Sequence, residues 1–253
     1  MKVCKKISLG VIIIVFMFFI GINTSSASLI AYFPFDGNAK DATGNGHDGT
    51  VYGALLTSDG YKGSAYQFDG INDYIYVPLN INPSAMTFLT MGAWVKASNG
   101  SPIRQVISHD NGGYDRSLGI DHRGGSTGWS AFSGSGAVLG GFPVTTEQWT
   151  FVAVVYDESS KNVMLYVDGQ TMSETGDLSN GKDFLRIGSN PGFGEYFQGT
   201  IDEVFFFDEA LTKSQLDNIM NNGVSSVPIP PSLVLLFSTL LGIEVFRRVK
   251  LLA

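Results

Sequence analysis

Cysteine is almost missing from this 253-residue chain: the only one, Cys4, precedes an apolar run near the N-terminus. Beyond that run there is no thiol, which excludes disulfides and thiol catalysis. Basic residues are scarce too, with 16 Lys and Arg against 23 Asp and Glu. With residues 1–27 and 227–253 set aside as targeting segments, 199 residues remain, carrying 10 basic and 22 acidic groups, a net charge of −12. A surface that acidic repels phosphate backbones, so no nucleic acid is expected as a partner, and it favours cations. Three scattered histidines make no zinc set. There is no Ser-His-Asp order and no repeat of solenoid length. What is abundant is glycine, 31 residues, and aromatic side chains, 12%. Tight turns between aromatic strands give that mixture; coiled coil and intrinsic disorder do not.

Both ends read as addresses. Lys5 and Lys6 precede an apolar run from Ile7 to Ile22, followed by Ser25-Ser26-Ala27. This is the three-part pattern of a secretory signal peptide over 1–27, and the run is short of the roughly 20 residues a membrane span prefers. At the other end, Val227-Pro228-Ile229-Pro230-Pro231 introduces an apolar stretch from Leu233 to Phe246 that stops at Arg247-Arg248. The expectation is a linker with a proline motif over 224–231, then a hydrophobic helix and basic tail over 232–253, reaching the membrane with the positive end in the cytoplasm. Glu244 within the stretch suits a transient rather than a permanent span. These last 27 residues resemble the PEP-CTERM sorting signals of Gram-negative bacteria that make extracellular polysaccharide, in a VPxP-type variant with Ile229 where the family name has Glu. The resemblance implies a membrane-embedded exosortase that cuts near the prolines, and delivery to the cell surface or extracellular matrix.

Between the ends, short aromatic or β-branched runs alternate with turn clusters. Strands are expected at Leu29–Phe33, Ala65–Phe68, Tyr74–Val77, Thr90–Lys96, Gln105–His109, Ser117–Asp121, Trp149–Asp157, Asn162–Val167 and Gly199–Phe207. Asp168-Gly169 joins Asn162–Val167 to Gln170–Glu174 as a two-residue hairpin. Regular strands without intervening helices point to an all-β antiparallel sandwich. One helix is expected, opened by Thr212 with Gln215 three residues on, faced by Leu216, Ile219 and Met220, and stopped by Gly223. Residues 28–223 then form one domain. Within it, Asp36 to Asp48 packs oxygen donors into a glycine-bent loop. The loop fails the EF-hand spacing because Lys40 stands where a third ligand belongs. A cation site and plain turn chemistry both account for such a loop. A second cluster is Tyr114, Trp129, Phe193 and Tyr196 in glycine-rich segments, with Arg116, Asp121, His122 and Arg123. Aromatic faces stack on sugar C–H surfaces and planar polar groups fork onto hydroxyl pairs, so these residues suit either a glycan or loop packing. Trp94 and Trp149 sit inside apolar strands and are expected in the core.

Four stretches in this order resemble the LamG-like jellyroll domains of the concanavalin A-like lectin/glucanase superfamily. They are Ala31 to Asn38 with Asp41, Gly44, Asn45, Gly46 and Gly49; Phe68-Asp69-Gly70 with Asp73 and Tyr74; Trp149 to Ala153 running to Tyr166-Val167-Asp168-Gly169; and Gly199-Thr200-Ile201-Asp202-Glu203-Val204. The resemblance implies a two-sheet jellyroll in which the first loop and the final Asp meet around calcium. That nominates Asp36, Asn38, Asp41 and Asp202, with His47 and Asn45 contributing carbonyls. It also brings hydrolysis into question, because the superfamily's glucanases carry a Glu-x-Asp-x-x-Glu strand. No such segment occurs here. Asp202 and Asp208 lie roughly 20 Å apart along a regular strand, whereas a retaining glycosidase needs about 5–5.5 Å. The expected function is a non-catalytic, calcium-stabilised surface module for carbohydrate, with candidate contacts Tyr114, Arg116, Asp121, Trp129 and Tyr196. The alternative is a structural matrix or adhesion protein with no small ligand.

Overall fold

The computed structural model describes residues 27–123 and 127–226. The expected signal peptide up to Ser26, the proline motif and the expected hydrophobic helix fall outside these residues. No helix among the described residues is long and apolar enough to cross a membrane. The described residues form fifteen strands: β1 Leu29–Phe33, β2 Thr50–Tyr52, β3 Leu55–Thr57, β4 Ala65–Asp69, β5 Tyr74–Val77, β6 Phe88–Ala97, β7 Arg104–Ser108, β8 Ser117–Asp121, β9 Gly128–Gly134, β10 Ala137–Phe142, β11 Trp149–Asp157, β12 Asn162–Val167, β13 Gln170–Thr175, β14 Leu185–Ile187 and β15 Gln198–Phe207. They form two antiparallel sheets. The eight-stranded one runs β13-β12-β11-β6-β15-β4-β3, with β1 also on β15, and the seven-stranded one runs β10-β9-β8-β7-β14-β5-β2.

Period-2 alternation builds the sandwich. In β6, Leu89, Met91, Ala93, Val95 and Ala97 enter the main core, where they meet Leu118, Ile120, Trp129 and Ala131 of the facing sheet. The opposite face of the eight-stranded sheet is apolar as well, through Phe151, Val155, Phe205 and Phe207, and needs its own cover. Helix α1, Lys213–Asn222, supplies it: Leu216 and Ile219 are buried there, each worth about 1.5–3 kcal/mol. Its ends follow the sequence signals. Thr212 and Gln215 form the reciprocal capping box, and the Gly223 N–H donates to the Ile219 carbonyl. At the hairpin, Asp168 and Gly169 both take positive φ, 44° and 84°, as a two-residue turn between β12 and β13 requires. The packed body is slightly longer than 28–223. Ala27 and Val224 are both buried against the helix side, and 224–226 form a 3-10 turn rather than a linker.

Candidate functional site

The outer face of the seven-stranded sheet carries the polar residues of β7, β8 and β9. Gly119 and Asp121 share that face because Leu118 and Ile120 point into the core. Gly119 pairs with Gln105, and a side chain at Gly119 would collide with the Gln105 amide. Over this face lies Arg123. Its Nη2 reaches Asp121 Oδ2 at 2.6 Å and Glu195 Oε1 at 3.3 Å, its Nε donates to both Asp121 oxygens at 3.1 Å, and its Nη1 donates to the Tyr114 hydroxyl at 3.4 Å. The guanidinium also sits 4.9 Å from the Tyr114 ring centroid and 5.2 Å from that of Phe132. Burial opposes its charge. The hydrogen bonds to Asp121, with the charges of Asp121 and Glu195, override this and hold it above its ordinary pKa.

Two side-chain amides fix Glu195 in turn. Gln105 Nε2 and Asn190 Nδ2 both donate to Glu195 Oε2, at 3.1 and 3.0 Å, and Asn190 Nδ2 also reaches Asp110 Oδ2 at 2.9 Å. Tyr114 and Glu195 are non-glycine residues at φ 59° and 46°. Backbone held in the left-handed region costs on the order of 1–3 kcal/mol and clusters at ligand sites. Phe193, 63% exposed, stands beside Gly112 at the rim of the same loops. The cluster joins a planar cation that is 31% exposed to two carboxylates, amides and aromatic faces that are mostly buried, a set able to donate to and accept from hydroxyl groups.

Of the five expected glycan contacts, the structure gathers Tyr114 and Asp121 through Arg123. Tyr196 adjoins them, pairing with Gln105 and accepting Arg104 Nη1 at 2.7 Å on its carbonyl. Arg116 and Trp129 do not take part. Arg116 is fully buried, bonded to the Ile81 carbonyl at 2.8 Å and Glu158 at 3.0 Å. Trp129 is 1% exposed in the main core, because β9 turns it inward with Ala131. Neither presents a surface to a ligand. Glu195, Gln105 and Asn190 escaped the sequence reading; the clue was Asn190 to Tyr196, a glycine-containing loop read only for its aromatics.

The expected calcium ligands are split between two places. Asp41 Oδ1 accepts from the Tyr32 and Thr43 N–H groups and the Thr43 hydroxyl, and Asp41 Oδ2 from His47 N–H, while His47 Nδ1 contacts the Pro78 carbonyl. Although burial works the other way, these donors bring Asp41 below its ordinary pKa. Asn38 Oδ1 accepts from Lys40 N–H. Asp36 and Asp202 instead pin the 62–64 turn, through Ser64 and Lys62 N–H respectively. Among the described residues, no group of three or more His, Cys, Asp or Glu is placed to hold a metal. Asp36, Asn38, Asp41 and Asp202 each accept a backbone N–H of a turn, and among the described residues they are not gathered into one group.

More than half of the chain, residues 69–217, matches the family model described as Concanavalin A-like lectin/glucanases superfamily. The chain belongs to this superfamily. Among curated proteins none matches it in sequence. Solved structures of the lectin-like fold align well. Domain 4 of AbnA, a GH43 extracellular arabinanase from Geobacillus stearothermophilus, in complex with arabinotriose, gives a TM-score of 0.62 at 23% identity, covering 77% of this chain and 98% of that one. The binding domain of Paraclostridial Mosquitocidal Protein 1 gives 0.59 at 16% identity, covering 76% and 52%. The binding domain of Botulinum Neurotoxin DC in complex with SialylT gives 0.57 at 13%, covering 78% and 51%. This lectin/glucanase-superfamily chain thus spans nearly all of the first relative and about half of the toxin chains.

Proposed function

We propose that the protein is a non-catalytic carbohydrate-binding module, displayed outside the cell, that takes an extracellular polysaccharide or surface glycan on the outer face of the seven-stranded sheet. The observation that carries this reading is the Arg123 guanidinium, clamped by Asp121 and Glu195 against the Tyr114 ring yet with its side chain 31% exposed. Four of its five N–H groups have protein acceptors among the described residues, which leaves one for a ligand. Neighbours of this fold in complex with arabinotriose and SialylT support the ligand class. Support for a non-catalytic role comes from the sequence, which has no Glu-x-Asp-x-x-Glu strand to supply a closely spaced carboxylate pair.

The test is a polysaccharide pull-down with the wild-type chain and Arg123→Ala. A hydrogen bond to a charged group contributes about 1.5–3 kcal/mol, so retention should weaken by roughly tenfold or more, with Arg123→Lys intermediate. A wild-type chain that retains no polysaccharide would turn the reading to a structural matrix protein. Surface delivery through a processed tail is a separate part of the proposal, supported by the proline motif and Arg247-Arg248. Intact-mass analysis of surface-extracted protein should show the residues beyond the prolines missing. A full tail on that protein would reject processing.

A further inference from the structure

On the other sheet, β15 carries a bulge. Its register with β6 runs Asp202 to Trp94 and then slips to Phe205 against Gly92. The extra residue puts two consecutive acids on the outer side, between Ile201 and Val204, which both enter the main core. Glu203 is held at φ 51° and is only 4% exposed. Its Oε2 accepts the Tyr32 hydroxyl at 2.7 Å, and its Oε1 is buried with no partner. This carboxylate lines a cleft of about 210 Å3, together with Tyr61, Lys62, Trp94 and residues 219–223 at the end of α1. An unpaired buried carboxylate oxygen is costly, and here the strained bulge sets the residue that carries it in the wall of a cleft.

The walls specify which donor. Tyr61 stacks on Trp94 with ring centroids 3.6 Å apart and 10° between planes, and Tyr61 stays 43% exposed. The last turn of α1 brings the negative end of its dipole and has no basic residue to offset it. Aromatic faces, a helix C-terminus and a carboxylate each attract positive charge. Lys62 is the only cationic residue lining the cleft; its charge acts on Glu203 but makes no direct ion pair among the described residues, while its backbone N–H holds Asp202. The cleft is smaller than the roughly 300–1,000 Å3 of drug-sized sites, so it suits one ring rather than a chain.

We propose that this cleft is a second site, taking a single amino-sugar residue with its ammonium on Glu203 and its C–H face on Tyr61. The sugar as carrier rests on the carbohydrate-binding reading above; the site and its charge preference do not involve Arg123. The experiment titrates the full chain at pH 6 with glucosamine, glucose, N-acetylglucosamine and lysine methyl ester, following tryptophan fluorescence and heat. Glucosamine should bind at least tenfold more tightly than glucose or N-acetylglucosamine. Glu203→Gln, which keeps an acceptor for Tyr32, should erase that preference. Tyr61→Ala, at an exposed position that leaves the core intact, should weaken glucosamine by a similar factor, and Arg123→Ala should leave the preference unchanged. Equal affinity for glucosamine and glucose, or a preference that survives Glu203→Gln, overturns the proposal. Lysine methyl ester binding as tightly as glucosamine overturns the sugar assignment. Failure of the polysaccharide pull-down alone would sink the Arg123 reading and leave this result standing.

Discussion

Arg116→Ala is expected to cost about 3–5 kcal/mol of stability, the range for breaking a buried ion pair by removing one partner. The Arg116 side chain has no exposure and that of Glu158 only 12%, at 3.0 Å. Alanine would leave the Ile81 carbonyl without its donor, leave Glu158 only the more distant Lys161 ammonium at 3.6 Å, and open a void beside Tyr156, whose ring lies 5.3 Å from the guanidinium. The double variant Arg116→Met, Glu158→Gln restores volume and removes the stranded charge, so it should recover most of the loss. Urea denaturation of the two variants measures the difference. At low temperature, where the single variant still folds, its polysaccharide retention should equal that of the wild type. A variant that keeps its stability and loses retention would return Arg116 to the binding site, against its burial.

Trp129 lies in the main core against expectation, while Trp94 is only half-buried, packed against the second core, and the reason lies in strand parity. Trp94 was expected in the core because its strand is apolar, yet Lys96 shares its parity, while Leu89, Met91, Ala93 and Val95 occupy the other. Trp94 and Trp149 end half-buried, and Tyr61 packs on both. Trp129 was read as a loop residue because its surroundings, Gly128-Trp129-Ser130-Ala131-Phe132-Ser133-Gly134, are rich in small residues with weak strand preference. The same weakness hid β10, and length hid β2, β3 and β14, each three residues long. Strands with bulky alternation, such as Trp149–Asp157, were legible to the residue.

The sites were less legible than the fold. Asp121 and Tyr114 carried the right chemistry in the right segment, but their meeting with Glu195 needs β7, β8 and the 190–195 loop to converge across 72 residues. Glu203 was visible only as part of a family motif. Its place in the cleft wall depends on a bulge, and nothing in a one-dimensional alternation marks where a register slips.

Stability between pH 4 and 6.5 should be nearly flat for the wild type as far as two buried groups are concerned, because they titrate against each other. Burial pushes Asp202 from 3.8 up to about 7, despite backbone N–H groups from Lys62 and Glu203 that favour its charge. Between those values the folded state keeps a proton that the unfolded chain has released, so stability falls as pH rises. His109 works in the opposite sense. Burial lowers it from 6.5 to about 4, its Nδ1 bonds the Lys182 carbonyl at 3.0 Å, and its Nε2 has no partner. Below 6.5 the unfolded chain takes up a proton that the folded state refuses, so stability falls as pH drops. At about 1.4 kcal/mol per pH unit, the His109 effect amounts to on the order of 3 kcal/mol over its window and the Asp202 effect to on the order of 4. Both residues have no exposed surface, so solvent does little to screen either. Asp202→Asn should therefore uncover a rise in stability from pH 4 to 6.5, and His109→Asn a fall from pH 4 to 7. Urea denaturation across that range, in chelator, reads both slopes. Other shifted carboxylates, Asp41, Asp115 and Asp157 among them, are common to the two variants and drop out of the comparison. Slopes in both variants that parallel the wild type would refute the pairing. The same series in millimolar calcium also examines the cation expected from the sequence. A divalent ion beside Asp202 would keep it ionised in the folded state and flatten the fall in His109→Asn, whereas a slope indifferent to calcium agrees with oxygens already engaged by the 62–64 turn.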